Sequence, residues 1–240
     1  MRKVALIFCL AFLFLYTFGQ KAEISATAGT GLFSYYGNSA LKHRNYYVVY
    51  GAISEPPNYP GSIPGLSLFT GINIKKRFQE KLFWGINFQA QRLTSISKID
   101  SIIYSHYDPG PIIATKANGY TSLTGIYAAS DLYFGRRIKT RNILIDISGG
   151  AEVSLQFSNN EKIKIVGENG DSFNYHSSIY NNHTDIRINI QTEFIYKKLS
   201  LNLGYFRGIL NYFNTGSSDD SKNFKAYSSF FQIEFEYKIK

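Results

Sequence analysis

Eight segments of the chain alternate apolar and polar residues with a period of two, and this alternation limits the possible folds more than any other feature. In segment 82–90, for example, Leu, Trp, Ile, Phe and Ala alternate with Phe, Gly, Asn and Gln. Successive side chains of a β-strand point to opposite faces, so this period predicts strands with one apolar and one polar face. The eight predicted strands cover residues 23–36, 65–76, 81–93, 120–137, 141–157, 184–197, 199–212 and 225–239. Because helical periodicity is nearly absent, the predicted fold class is all-β.

The composition of the chain agrees with a sheet protein. Aromatic residues make up 16% of the 240 residues and charged residues only 18%. Tyr, Phe, Ile and Thr pack well on a pleated surface, whereas so low a charge content excludes disordered and coiled-coil chains. The single cysteine, Cys9, lies in the N-terminal apolar segment. Disulfide scaffolds and cysteine-based metal sites are therefore excluded for the rest of the chain.

The first 20 residues have the pattern of a signal peptide. Arg2 and Lys3 precede an apolar stretch of 15 residues, Val4–Phe18, and polar sequence follows from Gln20. This stretch is shorter than the roughly 18–20 residues that a membrane-spanning helix needs. We therefore expect residues 1–20 to be removed on export and residues 21–240 to form one domain.

The connections between the predicted strands alternate between short and long. Short turns lie at 77–80, 138–140 and 198, whereas the long links cover 37–64, 94–119, 158–183 and 213–224. This alternation is typical of an antiparallel up-and-down transmembrane β-barrel with short periplasmic turns and long outer loops. All six prolines fall in two of the long links, as an uninterrupted ladder requires.

The predicted number of strands is eight, with ten as the alternative. Segments 46–53 and 99–104 have strand character, and 162–175 reads as a hairpin around an Asn-Gly turn. These segments are short, so we expect them to pair as extensions of the loops rather than to enter the barrel wall.

The polar faces of the predicted strands are assigned to the lumen. They carry charges of both signs, which persist in a closed interior only when they pair. An eight-stranded barrel also has too narrow an interior for eight rows of large apolar side chains. The predicted lumen network consists of Asp131, Glu152, Arg187, Glu193 and Glu234, with Arg187 pairing to one of these carboxylates. A soluble lipocalin-like barrel, with the faces reversed, is the alternative.

Aromatic residues near the short-turn ends are predicted to form an interfacial girdle, as in membrane barrels. The predicted girdle residues are Trp84, Tyr196 and Tyr237, together with Phe78 and Phe83.

Three stretches of the sequence resemble the Bacteroidetes outer-membrane β-barrel family, which includes the PorT-like proteins and small barrels of the OmpA/OmpX kind. The segment from Gly65 to Phe88 is similar to its second and third strands, Asp146–Glu152 to its fifth and Leu203–Ile209 to its seventh. The resemblance implies location in the outer membrane, an eight-stranded barrel and no shared catalytic motif. The chain ends Tyr-Lys-Ile-Lys rather than in a terminal Phe.

No motif in the sequence predicts catalysis or a cofactor. The four histidines, His43, His106, His176 and His183, fall in long links without the spacing of a metal site. No GxSxG elbow is present, so we expect a protein that is not an enzyme. Export and strand alternation argue against nucleic-acid binding, and the expected state is a monomer in outer-membrane lipid.

Basic residues are concentrated at the short-turn end. Arg136, Arg137, Lys139 and Arg141 are predicted to form a periplasmic rim that contacts lipid phosphates or docks an acidic periplasmic partner.

Three functions are compatible with these features. The preferred one is a non-conducting barrel whose long outer loops act in surface binding or envelope structure. The alternatives are a PorT-like component of a secretion or envelope-assembly machine, and a pore or transporter.

Overall fold

The computed structural model describes residues 22–49, 52–54, 60–78, 81–105, 113–141, 143–168, 170–179, 184–213 and 224–239. The predicted signal peptide, residues 1–20, lies outside these ranges. Eleven strands occur within them, and no helix there is long and apolar enough to cross a membrane. The strands are β1 (Glu23–Tyr36), β2 (His43–Val49), β3 (Ala52–Ser54), β4 (Ile63–Arg77), β5 (Leu82–Ser105), β6 (Ile113–Lys139), β7 (Leu144–Gly167), β8 (Ser172–Ile179), β9 (Thr184–Tyr196), β10 (Leu199–Gly208) and β11 (Tyr227–Lys238).

Eight of these strands close into a ring. Antiparallel pairing runs in the order β1, β4, β5, β6, β7, β9, β10 and β11, and β11 pairs with β1 to complete the circle. Closure leaves the barrel wall without a free edge, which a sheet in lipid requires because unpaired backbone groups find no water there. The predicted all-β, eight-stranded antiparallel barrel is confirmed.

The remaining strands extend the wall above the ring at the long-loop end. β2 runs parallel to the last part of β5, from His43 opposite Lys98 to Val49 opposite Ser105. β8 pairs with the last part of β7, and β3 pairs with β2. We call this set, β2, β3, β8 and residues 98–105, 113–121 and 159–167, the outer extension. Loop segments therefore pair outside the ring, and the ten-strand alternative is wrong.

Strand lengths differ most from the prediction where the outer extension begins. β5, β6 and β7 contain 24, 27 and 24 residues, because their pairing continues past the lipid-facing part of the wall. The expectation that no proline interrupts a strand also fails at Pro64, which lies in β4. The β4–β5 register shifts between Pro64 and Leu68, as expected where a missing N–H removes a ladder hydrogen bond.

The outer face of the ring is apolar and its inner face is polar. Alternate residues of β5 such as Phe88 face outward, whereas Asn87 and Gln89 are buried inside. Large apolar residues exposed on the outside of the ring include Leu66, Leu68, Ile72, Phe88, Ile126, Leu132, Phe134, Ile147, Val153, Leu155, Phe157, Ile188, Ile190, Phe194, Phe231 and Phe235. This arrangement is the reverse of a soluble barrel and is that of a transmembrane barrel.

Candidate functional site

The lower part of the lumen, at the short-turn end, is filled by an ion-pair cluster. Lys75 donates to Asp146 at 2.9 Å and also contacts Glu193. Arg137 donates to both carboxylate oxygens of Asp146, at 2.7 and 2.8 Å. Each of these charges therefore has an opposite charge beside it, which buried ions require.

Arg137 is one of the residues predicted for the basic rim, and that placement is wrong. β6 continues to Lys139, so alternation sends Arg136 outward and Arg137 inward, where its side chain is 6% exposed. Arg136, Lys139 and Arg141 are exposed at the short-turn end.

In the middle of the lumen, side-chain amides donate hydrogen bonds to buried carboxylates. Asp131 accepts hydrogen bonds from Asn189 and Gln191, both at 2.7 Å. Glu234 accepts from Gln89 at 2.5 Å and from Asn202 at 3.4 Å. The structure thus places Asp131 and Glu234 inside, and their hydrogen-bond donors are uncharged.

Arg187 lies at the top of this polar filling and is completely buried. It donates to Glu152 at 2.8 Å, to Asp185 at 2.7 Å and to the side-chain oxygen of Gln91 at 3.1 Å. Of the four carboxylates proposed as its partner, the structure selects Glu152. Asp185 is a second partner that was not among them.

A cluster of buried, mostly aromatic residues, which we call the aromatic plug, occupies the lumen above Arg187. It consists of Phe33, Tyr35, Phe69, Leu93, Tyr127, Phe206, Ala226 and Phe230. Phe230 is its centre, with ring centroids 5.8 Å from Phe69 and 6.0 Å from Phe206. Sequence reasoning missed the plug because it assigned the whole inner face to polar residues. The available signal was that inward positions turn aromatic towards the long-loop end of several strands.

The outer extension has a core of its own. Tyr46, Ile99, Ile102, Ile163 and Ile165 are buried together. The outer extension therefore buries apolar side chains on its inner side, whereas the ring below it exposes them on its outer face.

A buried ion pair lies next to this core. Arg44 donates to Glu161 at 3.1 Å, and Thr121 and Tyr46 donate to the same carboxylate at 2.9 and 3.4 Å. Burial, followed by the charge of Glu161, raises the pKa of the Tyr46 phenol above its usual value. These contacts tie β2 to β6 and β7, so part of the long 37–64 link is a built element.

The predicted aromatic girdle is placed in part as expected. Tyr196 and Tyr237 are exposed at the short-turn end, and Trp84, the third residue of β5, is half-buried on the outer face. Phe83 is instead buried in the lumen, 6.2 Å from the ring of Tyr133. Phe83 pairs with Gly135 on β6. Because Gly135 has no side chain, the phenyl ring of Phe83 has room beside it.

The predicted loop histidines form no metal site in the part of the chain that the structure describes. His43 is exposed and bonds Asp100 at 3.0 Å, and His176 is exposed on β8. His106 and His183 lie outside the described residues.

Comparisons with known proteins give structural likeness only. No protein-family model and no curated protein matches the sequence. Ail, the attachment invasion locus protein of Yersinia pestis, superposes with a TM-score of 0.35 and 10% identity, covering 92% of this chain and 100% of that one. Neisserial surface protein A superposes with a TM-score of 0.40 and 13% identity over the same shares. The translocator domain of the autotransporter NalP from Neisseria meningitidis gives a TM-score of 0.24 and 8% identity, covering 95% and 92%.

Proposed function

We propose that this protein is an outer-membrane barrel that is closed to solutes and acts at the cell surface, through its outer extension, in binding or in envelope structure. The observation that carries the proposal is the filled lumen. Ion pairs, amide–carboxylate bonds and the aromatic plug follow one another from the short-turn end to the long-loop end. A barrel of eight strands has room for side chains and little else, so the pore or transporter alternative is disfavoured.

The outer extension supports a role at the surface. It has a hydrophobic core and a buried ion pair, so it presents a defined face rather than a set of unstructured links. Binding residues are commonly carried by loops that a rigid scaffold positions. No catalytic step or cofactor is part of the proposal.

Bilayer recording and labelling test the proposal. We expect the purified protein to migrate differently on gels before and after boiling and to give no stepwise conductance in planar bilayers. An epitope inserted after Gly170 should be accessible on intact cells, whereas one inserted at Lys139 should become accessible only after the membrane is opened. Stepwise conductance would favour a pore, and the reverse labelling would contradict the sidedness.

A second candidate function is a PorT-like component of a secretion or envelope-assembly machine. It is favoured by the exposed cations Arg136, Lys139 and Arg141, which lie together at the short-turn end. Such a rim complements an acidic periplasmic protein, although lipid phosphates would satisfy it equally well.

Neutralising the exposed cations of the rim distinguishes docking of an acidic periplasmic protein from contact with lipid phosphates. In the variant Arg136→Gln/Lys139→Gln/Arg141→Gln we expect normal folding and a normal phenotype, because each exposed contact is worth about 1 kcal/mol or less. The measurement is gel mobility together with secretion and envelope-integrity assays. Arg137→Gln is the matched control, since it removes a buried ion pair from the same segment and should lower stability. A folded triple variant that behaves like a deletion strain would favour the machine component instead.

A further inference from the structure

The lipid-facing wall carries an apolar cleft where β4, β5 and β6 lie side by side. Its volume is about 350 Å³, and Leu68, Thr70, Ala90, Arg92 and Ile126 contribute outward side chains to its lining. Thr70 pairs with Ala90, and Arg92 lies between Leu68 and Ile126. The cleft therefore has apolar walls of the kind that accept a hydrocarbon chain, and a cation at one end.

Arg92 lies at the upper edge of the apolar belt. It is eight residues above Trp84 on the same face of β5, about 27 Å along the strand or about 20 Å along the membrane normal after tilt. A belt of this kind is about 25 Å tall, so the guanidinium lies near the outer headgroups. Within the described ranges, no carboxylate lies in ion-pair distance of Arg92.

The same outward column of β5 leads to a group of exposed lysines on the outer extension. Lys98 on β5 is opposite Tyr120 on β6, which is opposite Lys164 on β7. Neighbouring strands are about 4.8 Å apart, so the Cα atoms of Lys98 and Lys164 are about 10 Å apart, and Lys162 is about 7 Å further along β7. No acidic partner of these three lysines occurs among the residues that the structure describes. Asp100, the next outward residue of β5, is engaged with His43.

We propose that this sector of the wall, from the cleft to Lys98, Lys162 and Lys164, binds one phosphorylated glycolipid of the outer leaflet. The inference rests on the proposed outer-membrane location. An acyl chain occupies the cleft, a phosphate group pairs with Arg92, and anionic sugars contact the lysines and the ring of Tyr120.

Charge complementarity and geometry select this occupant. The sector is apolar within the belt and cationic above it, and Arg92 and Lys98 are six residues or about 20 Å apart along β5. A phospholipid headgroup reaches Arg92 but is too short to extend to the lysines, whereas a glycolipid with a charged sugar chain spans both. Phosphate on guanidinium and ammonium groups gives charge-assisted hydrogen bonds.

The test uses the full exported chain, refolded in detergent micelles and titrated with purified rough-type lipopolysaccharide. Bound lipid is counted by native mass spectrometry, and phosphatidylglycerol is titrated in parallel. We expect one lipopolysaccharide per barrel, at least tenfold weaker binding for Arg92→Gln/Lys98→Gln/Lys164→Gln, and a similar loss for Ala90→Phe, which fills the cleft and keeps every charge.

Arg207→Gln is the matched control. Arg207 ends the apolar face of β10 at a similar height, but it donates to the Tyr36 hydroxyl at 3.0 Å, and its guanidinium carbon lies 4.5 Å from the centroid of the Tyr36 ring. We expect this variant to bind lipopolysaccharide as the wild type does. Unchanged binding by the triple variant, an equal loss in Arg207→Gln, or equally tight binding of phosphatidylglycerol would each overturn the proposal.

Cell fractionation distinguishes this failure from failure of the proposed function. A chain that fractionates away from the outer membrane contradicts the function whatever the micelle titration gives. A heat-modifiable chain in the outer membrane that binds without dependence on Arg92 and the lysines contradicts the glycolipid site alone.

Discussion

Arg187→Met is expected to destabilise the folded barrel by about 3–5 kcal/mol, because removing one partner of a buried ion pair leaves uncompensated charge behind. Arg187 is completely buried and donates to Glu152 and Asp185 at 2.8 and 2.7 Å. Without it, two carboxylates lie close together in a lumen without a cation between them. The measurement is urea unfolding of the refolded protein in micelles, with the folded fraction read from gel mobility without boiling.

A compensating variant identifies the cause of this loss. In Arg187→Met/Glu152→Gln/Asp185→Asn the stranded charges are removed, so a large part of the stability should return. Lys98→Met is the matched control, because it removes an exposed cation and should change unfolding little. A loss below about 1 kcal/mol for Arg187→Met, the range of an exposed pair, would show that water or other groups replace the guanidinium without cost.

Alternation was sufficient to predict the ring because the period of two is local to each strand. It placed Arg187 inside and Phe88 outside without any knowledge of their neighbours. The errors arose where residues near a strand end were assigned by their closeness to a turn instead of by the alternation. β6 reaches Lys139, so Arg137 still follows the alternation and enters the lumen. Phe83 is similarly on the inner face, and the space opposite Gly135 accommodates it.

Paired loop extensions were expected, but the full length of β5, β6 and β7 and the core of the outer extension were not, because the hydrophobic pattern changes sides at the membrane boundary. Below the boundary, odd-numbered residues of β7 up to Phe157 face lipid, and above it the odd-numbered Ile163 and Ile165 face inward. The register shift opposite Ile126 and Tyr127 adds one unpaired residue, Phe157, and reverses the faces. A β-bulge adds one residue to a strand, so the apolar residues of β7 stay at odd-numbered positions although they change from the lipid-facing side to the inner side.

The aromatic plug was not predicted from the sequence for a different reason. Phe33, Phe69, Phe206 and Phe230 belong to four strands, and only the closed ring brings their rings together. Each aromatic residue alone is compatible with either face. Their meeting depends on register and on the diameter of the barrel, which a single strand does not encode.

Phe230→Ala is expected to destabilise the barrel by about 3–5 kcal/mol, the range for deleting a buried aromatic side chain whose cavity cannot collapse. Phe230 is completely buried, and its ring centroid lies 6.2, 5.8 and 6.0 Å from those of Phe33, Phe69 and Phe206. These neighbours are fixed to a closed wall, so they relax little into the space. Phe231→Ala is the matched control on the next residue. Phe231 is 42% exposed on the lipid face, where fluid acyl chains fill the gap, so the loss of stability in Phe231→Ala should be smaller in the same urea titration.

Bilayers with Phe230→Ala should still show no conductance, because Arg187, Glu152 and Gln91 obstruct the lumen below the plug. Equal effects of the two substitutions would contradict a packed plug, and conductance in Phe230→Ala would make the plug, rather than the polar network, the seal of the barrel.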